Sequence, residues 1–190
     1  MQLIWERACR RASLPIAYTQ GFHPQARIQQ ALPLPLGFTS MCEIADIWFE
    51  TEVPLGTLIQ DLQSLRTLGI EITNTEIIPE NAPSLQKEIE KFEYLVFPLA
   101  KIPEDFPSRI TSFLSLTTLP RVRNGKSYDI RPLVISLALE VEPAPQIIML
   151  LSASGGATAR PEEVISSLGL EPYDFDYVRT KIFMKNQSAV

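Results

Sequence analysis

Three arginines close to the N-terminus have the type and spacing of a phosphate-binding surface. If the residues around them form a helix, Arg7, Arg10 and Arg11 fall within an arc of about 100°. One guanidinium group can donate hydrogen bonds to two phosphate oxygens at once, and it loses its hydration water more readily than an ammonium group does. Together with Arg27, they could hold the phosphates of an RNA or of an anionic cofactor. The alternative interpretation is a solvated helix face whose charges pair with nearby carboxylates.

A second basic group lies later in the chain, at Arg121, Arg123, Lys126 and Arg131. Alternate residues of a strand share one face, so Arg121 and Arg123 would point the same way. Basic hairpins of this kind can enter nucleic-acid grooves. However, the charges are not interleaved with the RNP-like aromatic pattern of known RNA-binding sheets. A structural role within the hairpin is therefore the other interpretation.

Two further segments are candidates for binding an anion. Asp129 lies two residues before Arg131 and could orient its guanidinium group for a ligand, or form a structural ion pair with it. The loop that contains Gly155 and Gly156 ends at Arg160, where a helix N-terminus is predicted, and such ends accept anions. This loop matches neither common glycine-rich phosphate motif, so a plain loop is the alternative.

The only histidine, His23, lies in the turn Gly21-Phe22-His23-Pro24. Imidazole titrates near neutral pH and is suited to general base catalysis, although no nucleophile is evident nearby in the sequence. The alternative is an ordinary turn residue. Cys9 and Cys42 are 33 positions apart and form no metal-ligand motif, so we expect no metal site and two small apolar core residues.

The composition predicts a globular protein. The 190 residues are 45% hydrophobic and 21% charged, enough to bury a core in one domain or two. No apolar stretch has the length of a membrane span, and no signal peptide is evident, so we expect a soluble cytoplasmic chain. The net charge of −5 is unevenly distributed, because residues 1–42 carry four Arg against one Glu.

Hydrophobic periodicity predicts alternating helices and strands. The first half contains helical spacing from the N-terminus to Ala12, and the second contains a strong hairpin signal at Asn124-Gly125. The predicted elements of the first half are a strand at 41–49, a helix at 54–68 and a strand at 70–78, with a proline-rich linker at 79–83. Those of the second half are strands at 92–99, 137–141, 146–152 and 177–184, and helices at 103–116 and from 161.

This order predicts an α+β fold with mostly antiparallel sheets. Both halves approach the split β-α-β plan of the ferredoxin-like fold, with one half at 1–80 and the other at 84–190. The first half lacks its opening strand, because the first helix begins at residue 1. We therefore expect that the segment supplying this strand lies upstream of the sequence.

Five stretches carry a resemblance to a known family. They are Trp5–Pro24, Leu34–Gly37, Asp129–Pro132, Arg160–Val164 and Val178–Thr180. In this order they resemble the radical-SAM-associated family of uncharacterised function. The chain departs from that family's pattern at Gln25, Gln29 and Gln30, and in lacking the strand before the first helix.

The resemblance implies a partner: a radical SAM protein, fused or separate, that uses an iron-sulfur cluster, S-adenosylmethionine and cobalamin. This chain would bind no cofactor itself and would not be catalytic alone. It would serve as an accessory or substrate-presenting domain, with RNA or another anionic ligand on its arginines.

Two other functions are compatible with the sequence. The layout also resembles CRISPR repeat-processing endoribonucleases, which would make His23 the base of a metal-independent RNA cleavage. A purely architectural interaction domain is the third interpretation, in which the chain covers part of its radical SAM partner. We expect no interaction with a membrane in any of these cases.

Overall fold

The computed structural model describes residues 2–153 and 158–185, except the side chains at positions 64 and 67. The chain divides into two compact units. The first comprises Met1–Pro33 and Ile44–Leu85, and the second comprises Leu34–Glu43 and Gln86–Val190. A short segment from the first half of the sequence therefore belongs to the second unit.

The first unit begins with helix α1 (Gln2–Arg11), which is followed by strands β1 (Ile28–Gln30) and β3 (Ala45–Ile47) and helix α2 (Leu55–Asp61). A 3-10 helix, Gln63–Leu68, continues from α2. Strands β1 and β3 pair antiparallel, with Ile28 opposite Ile47. The core of this unit is formed by small and aliphatic side chains: Ala8, Cys9, Ile16, Ala26, Leu58, Leu62 and Leu65.

The second unit is built on a five-stranded sheet in the order β2-β9-β4-β8-β7. The strands are β2 (Phe38–Ser40), β4 (Ile89–Pro98), β7 (Val134–Glu140), β8 (Gln146–Ser152) and β9 (Phe175–Met184). Strand β2 pairs parallel to β9, and the other pairs are antiparallel. Alternate residues are buried along β8 and from Phe92 to Val96 of β4, because successive side chains of a strand point to opposite faces and one face of the sheet is covered.

Helices α3 (Leu85–Glu88), α4 (Phe106–Ser115) and α5 (Pro161–Ser167) complete the chain, with the hairpin β5 (Pro120–Arg123) and β6 (Lys126–Asp129). Short 3-10 turns cover Arg131–Leu133 and Pro172–Asp174. Along the second unit the order β4-α4-β7-β8-α5-β9 is β-α-β-β-α-β, with the β5-β6 hairpin inserted. Positive φ angles at Asn124 and Gly125, 51° and 74°, form the tight turn predicted there.

The predicted α+β class with mostly antiparallel sheets is confirmed. The plan of two ferredoxin-like halves stays a prediction, since the described residues of the first unit contain one sheet of only two strands. Among the described residues, no helix combines the length and apolar character that crossing a membrane requires.

Three element predictions in the first half differ from the structure, two in part and one entirely. The strand predicted at 41–49 shrinks to β3 (Ala45–Ile47), because Leu34–Glu43 joins the second unit and Ile44 returns to the first. No strand forms at 70–78, where Glu71, Glu76 and Ile77 are exposed. The helix predicted at 54–68 changes to 3-10 geometry after Leu62.

Candidate functional site

Helix α1 presents three guanidinium groups on its exposed side. Arg7, Arg10 and Arg11 are exposed, whereas Ala8 and Cys9 are buried in the core of the first unit. The helix ends at Arg11 and is followed by Ser13 at a φ of 55°, which turns the chain away from helical geometry. The basic arc predicted from the sequence therefore exists on one helix.

Arg10 is held in place by two neighbours. Its Nη2 donates to Glu6 Oε1 at 2.8 Å and to the Tyr18 hydroxyl at 3.0 Å, and its Nε also donates to Tyr18 at 3.2 Å. The Tyr18 hydroxyl in turn donates to Glu6 at 3.0 Å. The hydrogen bond to Tyr18 and the nearby Glu6 charge raise the pKa of Arg10. This guanidinium group is oriented, yet 64% of its side chain remains exposed.

Arg7 and Arg11 flank Arg10 on the helix surface. Within residues 2–153 and 158–185, neither of their side chains forms an ion pair or hydrogen bond. Residues three and four apart are neighbours on a helix, so the three groups form one surface. We call Arg7, Arg10 and Arg11 the α1 arginine surface.

Arg27 lies on a different face. Ala26 is buried in the core and Ile28 packs against it, so the alternation of an extended chain directs Arg27 the opposite way. Its guanidinium group lies 5.0 Å from the centre of the Trp48 ring. Trp48 is likewise flanked by Ile47 and Phe49, which pack against the core. The structure thus separates Arg27 from the α1 arginine surface.

The motif Gly21-Phe22-His23-Pro24 forms an exposed loop. The Thr19 N–H donates to the Gln25 carbonyl at 2.8 Å, and the Gln25 N–H donates to Thr19 Oγ1 at 3.0 Å. Gly21 has a φ of 129°, which favours glycine. In the described part of the chain the imidazole of His23 forms no hydrogen bond or ion pair. The partner that a histidine base requires for orientation is therefore not provided by these residues.

Two arginines of the second basic group donate hydrogen bonds to α5 and to the residues that precede it. Arg121 Nη2 donates to Ser167 Oγ at 2.7 Å. Arg123 forms an ion pair with Glu163, and its Nη1 donates to the Thr158 carbonyl at 3.2 Å. These guanidinium groups fasten the β5-β6 hairpin within the second unit.

Arg131 also donates its hydrogen bonds within the second unit, to backbone carbonyl groups. Its Nη1 donates to the Val134 carbonyl at 2.8 Å and its Nη2 to the Leu114 carbonyl at 2.9 Å. Asp129 Oδ1 accepts from the backbone N–H groups of Leu119 and Arg131, at 2.7 and 3.0 Å. Asp129 therefore shapes the chain at the base of the hairpin through the backbone.

The remaining predicted ligand residues lie on different elements. Lys126 lies at the start of β6 and Arg160 lies just before α5, and both are exposed. The predicted Gly155-Gly156 loop lies outside the described residues.

Cys9 and Cys42 are buried and carry free thiols. Burial raises the pKa of Cys9 to about 11, which keeps the thiol protonated at neutral pH. Within the described part of the chain, no three His, Cys, Asp or Glu side chains are grouped as metal ligands.

A buried arginine in the second unit was not among the predicted site residues. Arg179 on β9 has no exposed surface, and its Nη1 donates to Glu43 Oε1 at 2.7 Å. Its Nε donates to the Tyr94 hydroxyl at 3.0 Å, and its guanidinium carbon lies 4.6 Å from the centre of the Phe92 ring. Alternation with Phe175 and Tyr177, both buried, is the sequence signal that places Arg179 on the inner face.

The chain belongs to the family described as "Uncharacterized protein conserved in bacteria (DUF2344)", which matches residues 1–161. No curated protein matches this sequence. The match includes both basic groups and the exposed loop at Gly21–Pro24.

Proposed function

We propose that this member of the family is an accessory or substrate-presenting domain that binds a phosphate-bearing ligand through the α1 arginine surface. RNA is the ligand we propose to test first. The observation that carries the proposal is the exposure of Arg7 and Arg11 without a partner for either side chain among the described residues. Unpaired guanidinium groups three to four residues apart on a helix offer several donors to one phosphate backbone.

The electrostatics of the two basic groups favour α1 over the hairpin. Arg121, Arg123 and Arg131 already donate to groups of the second unit, so a ligand would have to displace those hydrogen bonds. At α1, a ligand would displace no hydrogen bond that the described residues form with the side chains of Arg7 and Arg11. Arg10, positioned by Glu6 and Tyr18, would supply an oriented donor beside them.

We further propose that the domain acts beside a cobalamin-type radical SAM protein, fused or separate. This part of the proposal is supported by the resemblance of Trp5–Pro24 and the four later stretches. The iron-sulfur cluster, S-adenosylmethionine and cobalamin would belong to that partner. The present chain would contribute recognition of the substrate, and it would not be catalytic by itself.

The test is a binding titration with tRNA and rRNA fragments at several salt concentrations. We expect the double variant Arg7→Glu/Arg11→Glu to weaken binding strongly and to reduce the salt dependence. Each lost phosphate contact lowers the slope of log affinity against log salt by about 0.7 to 0.9. Two lost contacts should therefore lower the slope by about 1.5.

The matched control is Lys87→Glu/Lys101→Glu, which changes the net charge equally at exposed positions of the second unit. This control should bind RNA nearly as the wild type does. Equal losses in both double variants would mean that net charge alone attracts the RNA, and no binding by the wild type even at low salt would remove the proposal.

The same samples distinguish the two other interpretations. Cleavage of a structured RNA without divalent metal, lost in His23→Ala, would indicate an endoribonuclease. If the chain co-purifies with the radical SAM protein and Arg7→Glu/Arg11→Glu does not weaken this association, an architectural domain would be indicated.

A further inference from the structure

We propose that the ligand of the α1 arginine surface is single-stranded RNA, and that Phe22 stacks on one of its bases. This inference rests on the proposed function and makes it more specific. It assigns a role to the exposed loop 19–25, which the proposed function does not use.

Phe22 is the apolar side chain at the middle of that loop. Its relative exposure is 102%, so the whole ring is in water. The loop is closed by the Thr19–Gln25 hydrogen bonds, and all residues from Gly21 to Pro24 at its tip are exposed. A single exposed apolar residue is common on protein surfaces, so exposure alone does not indicate a ligand.

The second observation is the arrangement of cations and aromatic rings at the base of the loop. Tyr18 and Ala26 form an antiparallel bridge across the two arms. On one arm Tyr18 lies 5.9 Å from the guanidinium carbon of Arg10, and just after the other arm Arg27 lies over Trp48. Each face of this short hairpin therefore carries one guanidinium group against an aromatic ring.

The Arg10–Tyr18 pair is close enough to Phe22 for one oligonucleotide to contact both. Phe22 is four residues from Tyr18. An extended chain spans at most about 3.6 Å per residue, so the Cα atom of Tyr18 is within about 14 Å of that of Phe22. A single-stranded RNA of several nucleotides covers this distance.

The chemistry favours single strands over duplexes. Proteins that bind single-stranded nucleic acid combine a basic surface with aromatic rings on which bases stack. In a duplex the faces of the bases are already stacked, and the major groove of A-form RNA is too narrow to be read by side chains. The exposed ring of Phe22 has a binding partner only where a base is free to leave its stack.

The experiment measures fluorescence anisotropy with a labelled RNA of about 12 nucleotides, single-stranded or annealed to its complement. We expect the wild type to prefer the single strand. Phe22→Ala should weaken binding of the single strand about 5- to 150-fold, the usual effect of removing a stacking ring. Phe22→Tyr should restore it.

The salt dependence separates stacking from charge. The slope should be unchanged in Phe22→Ala, because stacking releases no counterions, and it should fall in Arg7→Glu/Arg11→Glu. The matched control is Leu36→Ala, since Leu36 is 101% exposed and lies in the second unit. This variant should bind as the wild type does.

The outcomes distinguish this inference from the proposed function. Equal binding of single strand and duplex, or equal affinities of Phe22→Ala and wild type, would overturn the stacking role while binding that depends on Arg7 and Arg11 would remain. Absence of RNA binding by the wild type would overturn both.

Discussion

Arg179 shows how one buried charge is tolerated in the sheet of the second unit. Transferring a guanidinium group from water to a protein interior costs several kcal/mol unless hydrogen bonds and an opposite charge compensate. Glu43 supplies the charge, the Tyr94 hydroxyl accepts a hydrogen bond, and Phe92 lies against the guanidinium plane. Glu43 is the exposed end of this arrangement, with 36% of its side chain accessible.

Removing Glu43 should therefore destabilise the protein more than removing the carboxylate of a surface ion pair. We expect Glu43→Ala to lower the free energy of unfolding by about 1–3 kcal/mol, less than for a fully buried pair because solvent screens part of the charge. Glu71→Ala is the control, since Arg66–Glu71 is exposed on both sides and should cost less than about 1 kcal/mol. Urea denaturation measures both variants, and similar losses would contradict the prediction.

At the scale of elements, a hydrogen-bonded network joins the β5-β6 hairpin to the start of α5. Glu163 accepts from Arg123 Nε at 3.0 Å and from the Tyr128 hydroxyl at 2.7 Å. Its Oε2 also accepts from the backbone N–H of Arg160 at 3.3 Å, which satisfies a donor at the helix N-terminus. Burial acts to raise the pKa of Glu163, but the hydrogen bonds from Arg123 and Tyr128 outweigh it and lower the pKa.

We expect Glu163→Gln to lower the free energy of unfolding by about 1–2 kcal/mol at pH 7. The ionised carboxylate is favoured in the folded state, so its stabilisation is complete above the unfolded pKa and is lost as the pH falls through the lowered folded pKa. The difference between variant and wild type should thus shrink in acid. Thermal unfolding between pH 7 and pH 3 measures this difference in stability. The control is Glu171→Gln, since Glu171 is exposed. A difference that is constant with pH would contradict this assignment.

At the scale of the whole molecule, the segment Leu34–Glu43 crosses the division between the sequence halves. Strand β2 pairs parallel to β9, and the Met41 N–H donates to the Arg179 carbonyl at 2.9 Å. The rings of Phe38 and Tyr177 stack at 4.5 Å. Residues on both sides of this segment, up to Pro33 and from Ile44, belong to the first unit.

Replacing Leu34–Glu43 by a glycine-serine linker of equal length should loosen the second unit. Arg179 would lose Glu43, and β9 would lose its parallel neighbour. Hydrogen exchange should show faster exchange in β9 and β4 and unchanged protection in α1. Faster exchange in α1 with β9 unchanged would contradict the assignment of this segment to the second unit.

The helices and strands of the second half were predictable because their patterns are local. The strand at 146–152, the hairpin at Asn124-Gly125 and the helix after Pro161 follow from a short apolar run, turn residues and a proline at the first helical position. Strand β2 (Phe38–Ser40) was not predicted, because its pairing depends on β9, more than a hundred residues later. Local periodicity contains no information about a partner at that distance.

The residues of the candidate site divide in the same way. The amino-acid sequence by itself determined that Arg7, Arg10 and Arg11 share one side of a helix, because helical geometry relates positions three and four apart. Only the tertiary structure decided that Arg121, Arg123 and Arg131 are used internally, that Arg27 lies on another face, and that Arg179 is buried beside Glu43. A charge is free or satisfied according to which distant carbonyl or carboxylate groups the fold brings to it, and periodicity along the chain does not specify those groups.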